Sequence, residues 1–355
     1  MDAALDRPLA VADQSDAGGG SAMQGVASRL ARLLDGGGER LGGEGHGGLV
    51  AEPVVRIAVL PKAAQPAEVW AIDGGQATVA DARCVTVVVV RVARACWRNG
   101  ACFTEKVGPL RPYLLGGDER RATLADLANI GLDLPADTVI DANLLRDAAE
   151  WDALARTVEE AEPGALVLVD GDLRPDWRIP GAWAARILAR AAERGVVVAA
   201  VTKHSGLARG GAPLVAALEA EAEADPALGS RARWWAAVAH TGPGVEPPLR
   251  VAVARLDPSA RFAFRVDVPA PLAPPAPPAP PGLAQVLAML AAVSDDAAFP
   301  GYPYPLSVVD GLAACPPWVR QDARLALDEH LDKQGVGLVR RERYFTDRHR
   351  LMERA

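Results

Sequence analysis

Cysteine is scarce in this 355-residue chain: Cys84, Cys96, Cys102 and Cys315 are the only four. None forms a C-x-x-C pair, so neither a disulfide framework nor a paired-ligand zinc site is expected, and the thiols read as reduced and mostly core. Long apolar runs are missing too. The stretches 85–90 and 165–169 fall far short of the roughly 20 residues needed to span a bilayer. No membrane span is expected, and Asp2 and Asp6 ahead of any apolar stretch argue against a secretory or transit leader and for a cytoplasmic protein. A basic excess is also lacking. The net charge of −7 excludes binding of nucleic acid through overall positive charge and leaves only local patches for that purpose. Only four of the 38 basic residues are lysine (Lys62, Lys106, Lys203 and Lys333), which makes each lysine more informative.

What the chain does have is apolar content. Hydrophobic residues make up 50% and charged residues 23%, enough for a sizeable core in a globular α/β protein. Residues 1–52 carry glycine runs and one alanine/leucine/arginine stretch at 27–34, and read as a flexible segment with a short helix. Gly36 to Gly48 lacks the G-K-[ST] ending of a phosphate loop. Residues 53–355 read as the main domain, interrupted at 269–281 by a Pro/Ala run suited to extended polyproline II.

Within the main domain the periodicity is legible. Residues 69–73 form a short apolar strand ended by Gly74-Gly75, and 85–97 form a long β-branched one. Asn99-Gly100 between strand-like flanks signals a tight hairpin into a third, antiparallel strand at 101–107. Asp141 or Asn143 caps a helix reaching Glu160 and ended by Gly164, with Leu144, Ala148, Trp151, Ala155 and Val158 as its apolar stripe. A buried strand at 165–170, a helix at 183–194 and a strand at 196–201 follow. Further helices are expected at 213–224, 283–293 and 319–331, and a hairpin at 250–268.

Three strands in a meander followed by α-β-α-β is the order of an RNase H-like core. In that topology the first and fourth strands are neighbours, which brings strand-end Asp73 and Asp170, each followed by glycine, close together. All-oxygen ligands suit Mg²⁺ or Mn²⁺. Phosphodiester hydrolysis uses two such cations about 4 Å apart. A third carboxylate must come from the intervening helix, which offers Asp147, Glu150 and Asp152. Stepping 100° per residue from Trp151 does not decide among them and slightly favours Asp147.

Five ordered segments carry a family resemblance. Val69-Trp70-Ala71-Ile72-Asp73-Gly74-Gly75, residues 146–150, Val167-Leu168-Val169-Asp170-Gly171-Asp172-Leu173, Val201-Thr202-Lys203-His204-Ser205 and Gly301-Tyr302-Pro303-Tyr304-Pro305-Leu306 together resemble the motifs of the NurA nucleases. The resemblance spans residues 69–350. It implies an RNase H-like fold and a manganese-dependent DNA nuclease, of single-strand endonuclease and 5'–3' exonuclease type, working in end processing and repair. It also implies a homodimer that docks on a hexameric HerA-type ATPase. The family's pattern of Arg followed four residues later by Glu falls on Arg146 and Glu150, so the resemblance selects Glu150 as the third ligand. Two positions depart from it: Asp172 stands where the family usually has Ser, adding negative charge beside the site, and Asp310 where it often has His.

Lys203, just past a buried strand, is placed to neutralise a scissile phosphate or orient a nucleophile, with His204 beside it. Tyr302 and Tyr304, in a proline-locked segment, are candidates for stacking on bases or for packing. Trp234-Trp235 read as core or dimer surface, and the arginine-rich tail 340–355 as a phosphate or partner contact, or as a solvated helix end. Two other functions fit less well. An actin-like or sugar-kinase-type phosphotransferase would need two such domains and a glycine-rich adenosine site late in the chain, and neither is evident. A catalytically weakened partner that regulates a HerA-type motor is the non-enzyme alternative, raised by Asp172 and Asp310.

Overall fold

Asn99 and Gly100 both adopt positive φ, 50° and 80°, the left-handed pair that a two-residue hairpin matched to strand twist requires. They join β2 (Thr86–Arg98) to β3 (Ala101–Val107), and β2 also pairs antiparallel with β1 (Glu68–Asp81) and β4 (Arg111–Leu115). The computed structural model describes residues 24, 26–31, 41–42, 48–62, 65–228, 232–270 and 281–346. Residues 26–31 are helical, overlapping the short helix expected at 27–34. The rest of that helix, residues 271–280 of the Pro/Ala run and the tail beyond 346 lie outside the described residues.

After β4 come α1 (Arg120–Asn129), α2 (Ala142–Glu160), β5 (Leu166–Asp170), α3 (Gly181–Glu193) and β6 (Val197–Thr202). Asp141 caps α2 by accepting from Leu144 N at 2.9 Å. The chain continues through α4 (Leu214–Ala224), β7 (Trp234–Thr241), β8 (Leu249–Arg255), β9 (Phe264–Pro269), α5 (Leu283–Ala291), α6 (Tyr304–Ala313), α7 (Pro317–Lys333) and α8 (Leu338–Phe345). The large sheet runs β7-β8-β9-β6-β5-β1-β2-β3, with β1, β5 and β6 parallel to one another. Read as first to fifth strands, β1, β2, β3, β5 and β6 stand in the order 5-4-1-2-3. This is the RNase H-like core expected from the sequence, extended beyond β6 by antiparallel β9, β8 and β7.

Side-chain alternation divides the core into two layers. Trp70, Ile72, Val167 and Val169 face α2 and α3, where Trp151 and Trp183 meet at 6.5 Å. Val69, Ala71, Leu166, Leu168, Ala199 and Val201 face α5 and α6. By the same parity Asp73, Asp170 and Lys203 belong to the α6 side. A third cluster packs α4 on β7 and β8 and includes Trp234, so that residue is core.

The first strand corrects an expectation. It does not stop at Gly74-Gly75 but runs on to Asp81, so Asp73 sits mid-strand. The two glycines are there for close approach. A Cβ on Gly74 would collide with the Glu150 carboxylate, and one on Gly75 with the carbonyl oxygen of Ala313. Helix α2 ends at Glu160 as expected, with Ala161 rather than Gly164 as its C-cap, donating to Thr157 O.

Candidate metal centre

Strands β1 and β5 pair in parallel register, with Ile72 opposite Val169, and the next step brings Asp73 level with Asp170. Ligand oxygens of Asp73, Asp170 and Asp310 all lie within 4.8 Å of one another. Asp310 comes from α6, whose start is set by Pro303 at the N-cap and Pro305 in the first turn, and whose buried residues Leu306, Val309 and Ala313 hold it on the sheet. Arg91 of β2 ties down the end of that helix through the carbonyls of Ala313 and Ala314.

The charges in this cluster are under strain. Burial, followed by the neighbouring Asp170 and Asp310 carboxylates, pushes the Asp73 carboxyl up to about 7, despite the Gly74 N–H it accepts at 2.7 Å. Lys203, at the end of β6, bridges the other two acids: its Nζ lies 2.6 Å from Asp170 Oδ2 and 2.9 Å from Asp310 Oδ1. Burial works against the lysine charge, but the two carboxylates outweigh it and raise its pKa. The ammonium also sits 5.4 Å from the Tyr302 ring centroid. Tyr302 is buried, and its hydroxyl approaches Asp170 without closing a well-formed hydrogen bond. Burial and then Asp170 hold it as a neutral phenol.

Glu150 lies on the opposite, α2 side of β1, over Gly74. It is buried, 3.5 Å from Arg146, and outside the set of three aspartates. Burial raises its pKa strongly. Arg146 counters this, while Asp147, Asp73 and Asp170 add to it, so it shares the field of the cluster from across the strand. Asp147 is engaged elsewhere, accepting from Asp176 N. Asp172, the expected extra negative charge, has a cationic neighbour. It pairs at 3.3 Å with Arg265, a buried guanidinium that also binds the fully buried Asp267 at 2.8 Å. His204 is exposed beside Lys203, and Tyr304 packs edge-on against Trp97 at 5.8 Å.

Of the residues expected at the site, Asp73, Asp170, Lys203 and Tyr302 come together and Glu150 approaches from behind. Asp310, read from the sequence as a departure from a histidine position, stands among the carboxylates. The apolar spacing of Leu306, Val309 and Ala313 after two prolines was the signal that it sits on a helix. The donor set is all oxygen and carries more negative charge than Lys203 offsets, which fits a hard divalent cation.

No protein-family model and no curated protein matches the sequence. Among solved structures, the NurA nuclease from Sulfolobus solfataricus superposes with a TM-score of 0.52 at 14% identity, over 89% of this chain and 95% of that one. Weaker overlaps occur with Ciona intestinalis endonuclease V bound to inosine-containing DNA (TM-score 0.39, 10% identity, 85% and 97% of the two chains) and with the catalytic domain of human endonuclease V (0.36, 12%, 86% and 98%). The chain therefore has a NurA-like fold built on an RNase H-like core.

Proposed function

We propose that this protein is a divalent-metal-dependent DNA nuclease. The observation that carries the reading is the convergence of Asp73 and Asp170, on adjacent parallel strands of an RNase H-like sheet, with Asp310 of α6, all within 4.8 Å. Those three would hold the cation, Mn²⁺ or Mg²⁺, with Glu150 acting from the other side of β1. Bound there, such a cation supplies Lewis acidity toward water and a phosphate oxygen. Lys203 brings a fixed positive charge to the substrate phosphate, and the neutral Tyr302 hydroxyl supplies a donor beside it. The likeness to a NurA nuclease supports DNA as substrate and, by extension, a homodimer acting in DNA end processing and repair with a HerA-type hexameric ATPase.

Incubating end-labelled single- and double-stranded DNA with Mn²⁺, Mg²⁺ or EDTA tests the reading. Cleavage that requires metal and is lost in Asp73→Asn and Asp170→Asn is expected. Equal cleavage by wild type and both variants would sink it. A second reading, a weakened partner that only regulates a motor, draws on the Lys203 bridge across Asp170 and Asp310, which competes with a cation for the same oxygens. It predicts no cleavage by wild type with either metal.

A further inference from the structure

The segment that leaves Asp170 at the end of β5 is fixed at nearly every residue. Gly171 N donates to Val201 O at 3.1 Å and Leu173 N to Asp267 at 3.4 Å, and the side chains of Leu173 and Ile179 are buried. Asp176 N donates to Asp147. Arg178, its side chain only 7% exposed, binds Asp176, Asp141 and the carbonyl of Val139. Between these two clamped residues, Trp177 is 86% exposed. Its ring meets the Arg178 guanidinium at 5.6 Å and otherwise turns to solvent.

An indole is a large apolar surface, and a mobile loop would let it fold back onto the protein. Here the Arg178 ion pairs with Asp176 and Asp141, and the hydrogen bond from Asp176 N to Asp147, hold the backbone on both sides of it. The segment that carries it starts at Asp170, one of the three cluster aspartates, and its Asp176 is held by Asp147 on the α2 side of β1. Asp147, which clamps Asp176, stands one helical turn before Glu150, and side chains at that spacing are about 5–6 Å apart. We propose that Trp177 is a stacking platform for a nucleobase of single-stranded DNA flanking the phosphate held at the aspartate cluster. This rests on the nuclease reading. A flat, rigidly presented ring accepts any base by its π-face, so the subsite is indifferent to sequence and blind to duplex DNA, whose bases are already stacked.

The test is binding of oligo(dT), and of an abasic oligomer of equal length, to the full chain in EDTA, followed by tryptophan fluorescence and anisotropy. Wild type is expected to bind oligo(dT) with quenching, Trp177→Phe to bind nearly as well, and Trp177→Ala to bind about 10- to 100-fold more weakly. The abasic strand should bind wild type and Trp177→Ala alike. Unchanged oligo(dT) binding by Trp177→Ala, or wild-type binding that does not distinguish the abasic strand, overturns the proposal. Cleavage by wild type in Mn²⁺ separates the two readings. Cleavage with no Trp177 effect on binding removes the platform alone, whereas base-dependent binding without cleavage removes the nuclease and leaves the platform.

Discussion

The ammonium of Lys203 lies 2.6 Å from Asp170 and, 2.9 Å away on its other side, touches Asp310. It therefore competes with a cation for ligand oxygens while offering positive charge to a phosphate. Lys203→Met should separate these roles. Mn²⁺ affinity by calorimetry should rise, because two carboxylates are released, while the cleavage rate falls about 10- to 100-fold, as for loss of a group that supports a metal site. Affinity and rate falling together would contradict the bridge.

The third aspartate can be tested directly. Asp310→Asn removes one charged oxygen donor from an exposed helix position, so the fold should persist while Mn²⁺ affinity drops about 10- to 100-fold. Asp310→His should recover part of that loss, since imidazole also binds Mn²⁺. Wild-type affinity in Asp310→Asn would remove Asp310 from the site.

The raised pKa of Asp73 links the centre to pH. Its carboxyl is pushed from an ordinary 3.8 up to about 7, burial being the main cause. A folded value above the unfolded one stabilises the protein where the group is protonated, so metal-free stability falls as pH rises between those two values. A cation relieves that penalty but must displace the proton. The Mn²⁺-induced rise in Tm should thus be larger at about pH 8 than at about pH 5.5, and Asp73→Asn should flatten both the metal-free trend and the metal effect.

Gly75 touches the end of α6. In Gly75→Ala the new methyl group would overlap the carbonyl oxygen of Ala313, and backbone cannot swing aside as a side chain does. A loss of about 1–3 kcal/mol or more in urea unfolding is expected. The same change at Gly311, which has open space around its Cβ position, is the control and should cost nothing measurable.

The Arg265 network should be structural. Arg265→Met strands the buried Asp267 and frees Asp172, and breaking a buried pair in this way costs about 3–5 kcal/mol. Truncation of exposed Arg190, paired with Glu159 at 2.7 Å on the surface, should cost less than about 1 kcal/mol.

The core strands and α2 could be read from sequence because local chemistry and global topology agree there. Asn99-Gly100 can hardly be anything but a hairpin turn, Asp141 caps where it should, and the β-branched runs alternate across two packed faces. What escaped reading depended on distant partners. Gly74-Gly75 resembles a terminator, and only the helices pressed against both faces of β1 explain its place within a strand. Strand β4 and helix α1 lack a strong periodic signal, and α8 gains its anchor from Arg341 binding Asp332 and the carbonyl of Asp328. Trp177 carries no pattern at all; its exposure depends on ion pairs formed by residues as far apart as Asp141 and Arg178. Among candidate ligands, Glu150 and Asp147 had near-equal helical phase. Their different surroundings, one beside Gly74 and the other against Asp176 N, are tertiary facts.

At Gly74-Gly75 a side-chain layer is missing from both faces of the sheet, so main chain from α6 on one side and the Glu150 carboxylate on the other reach the strand itself. The spacing of β1 and α6, the elements that carry Asp73 and Asp310, is thereby set by a backbone contact, and the aspartate side chains turn on that fixed frame. Ions of different radius would meet a frame with little give, and selection among them would follow from the spacing between a strand and a helix.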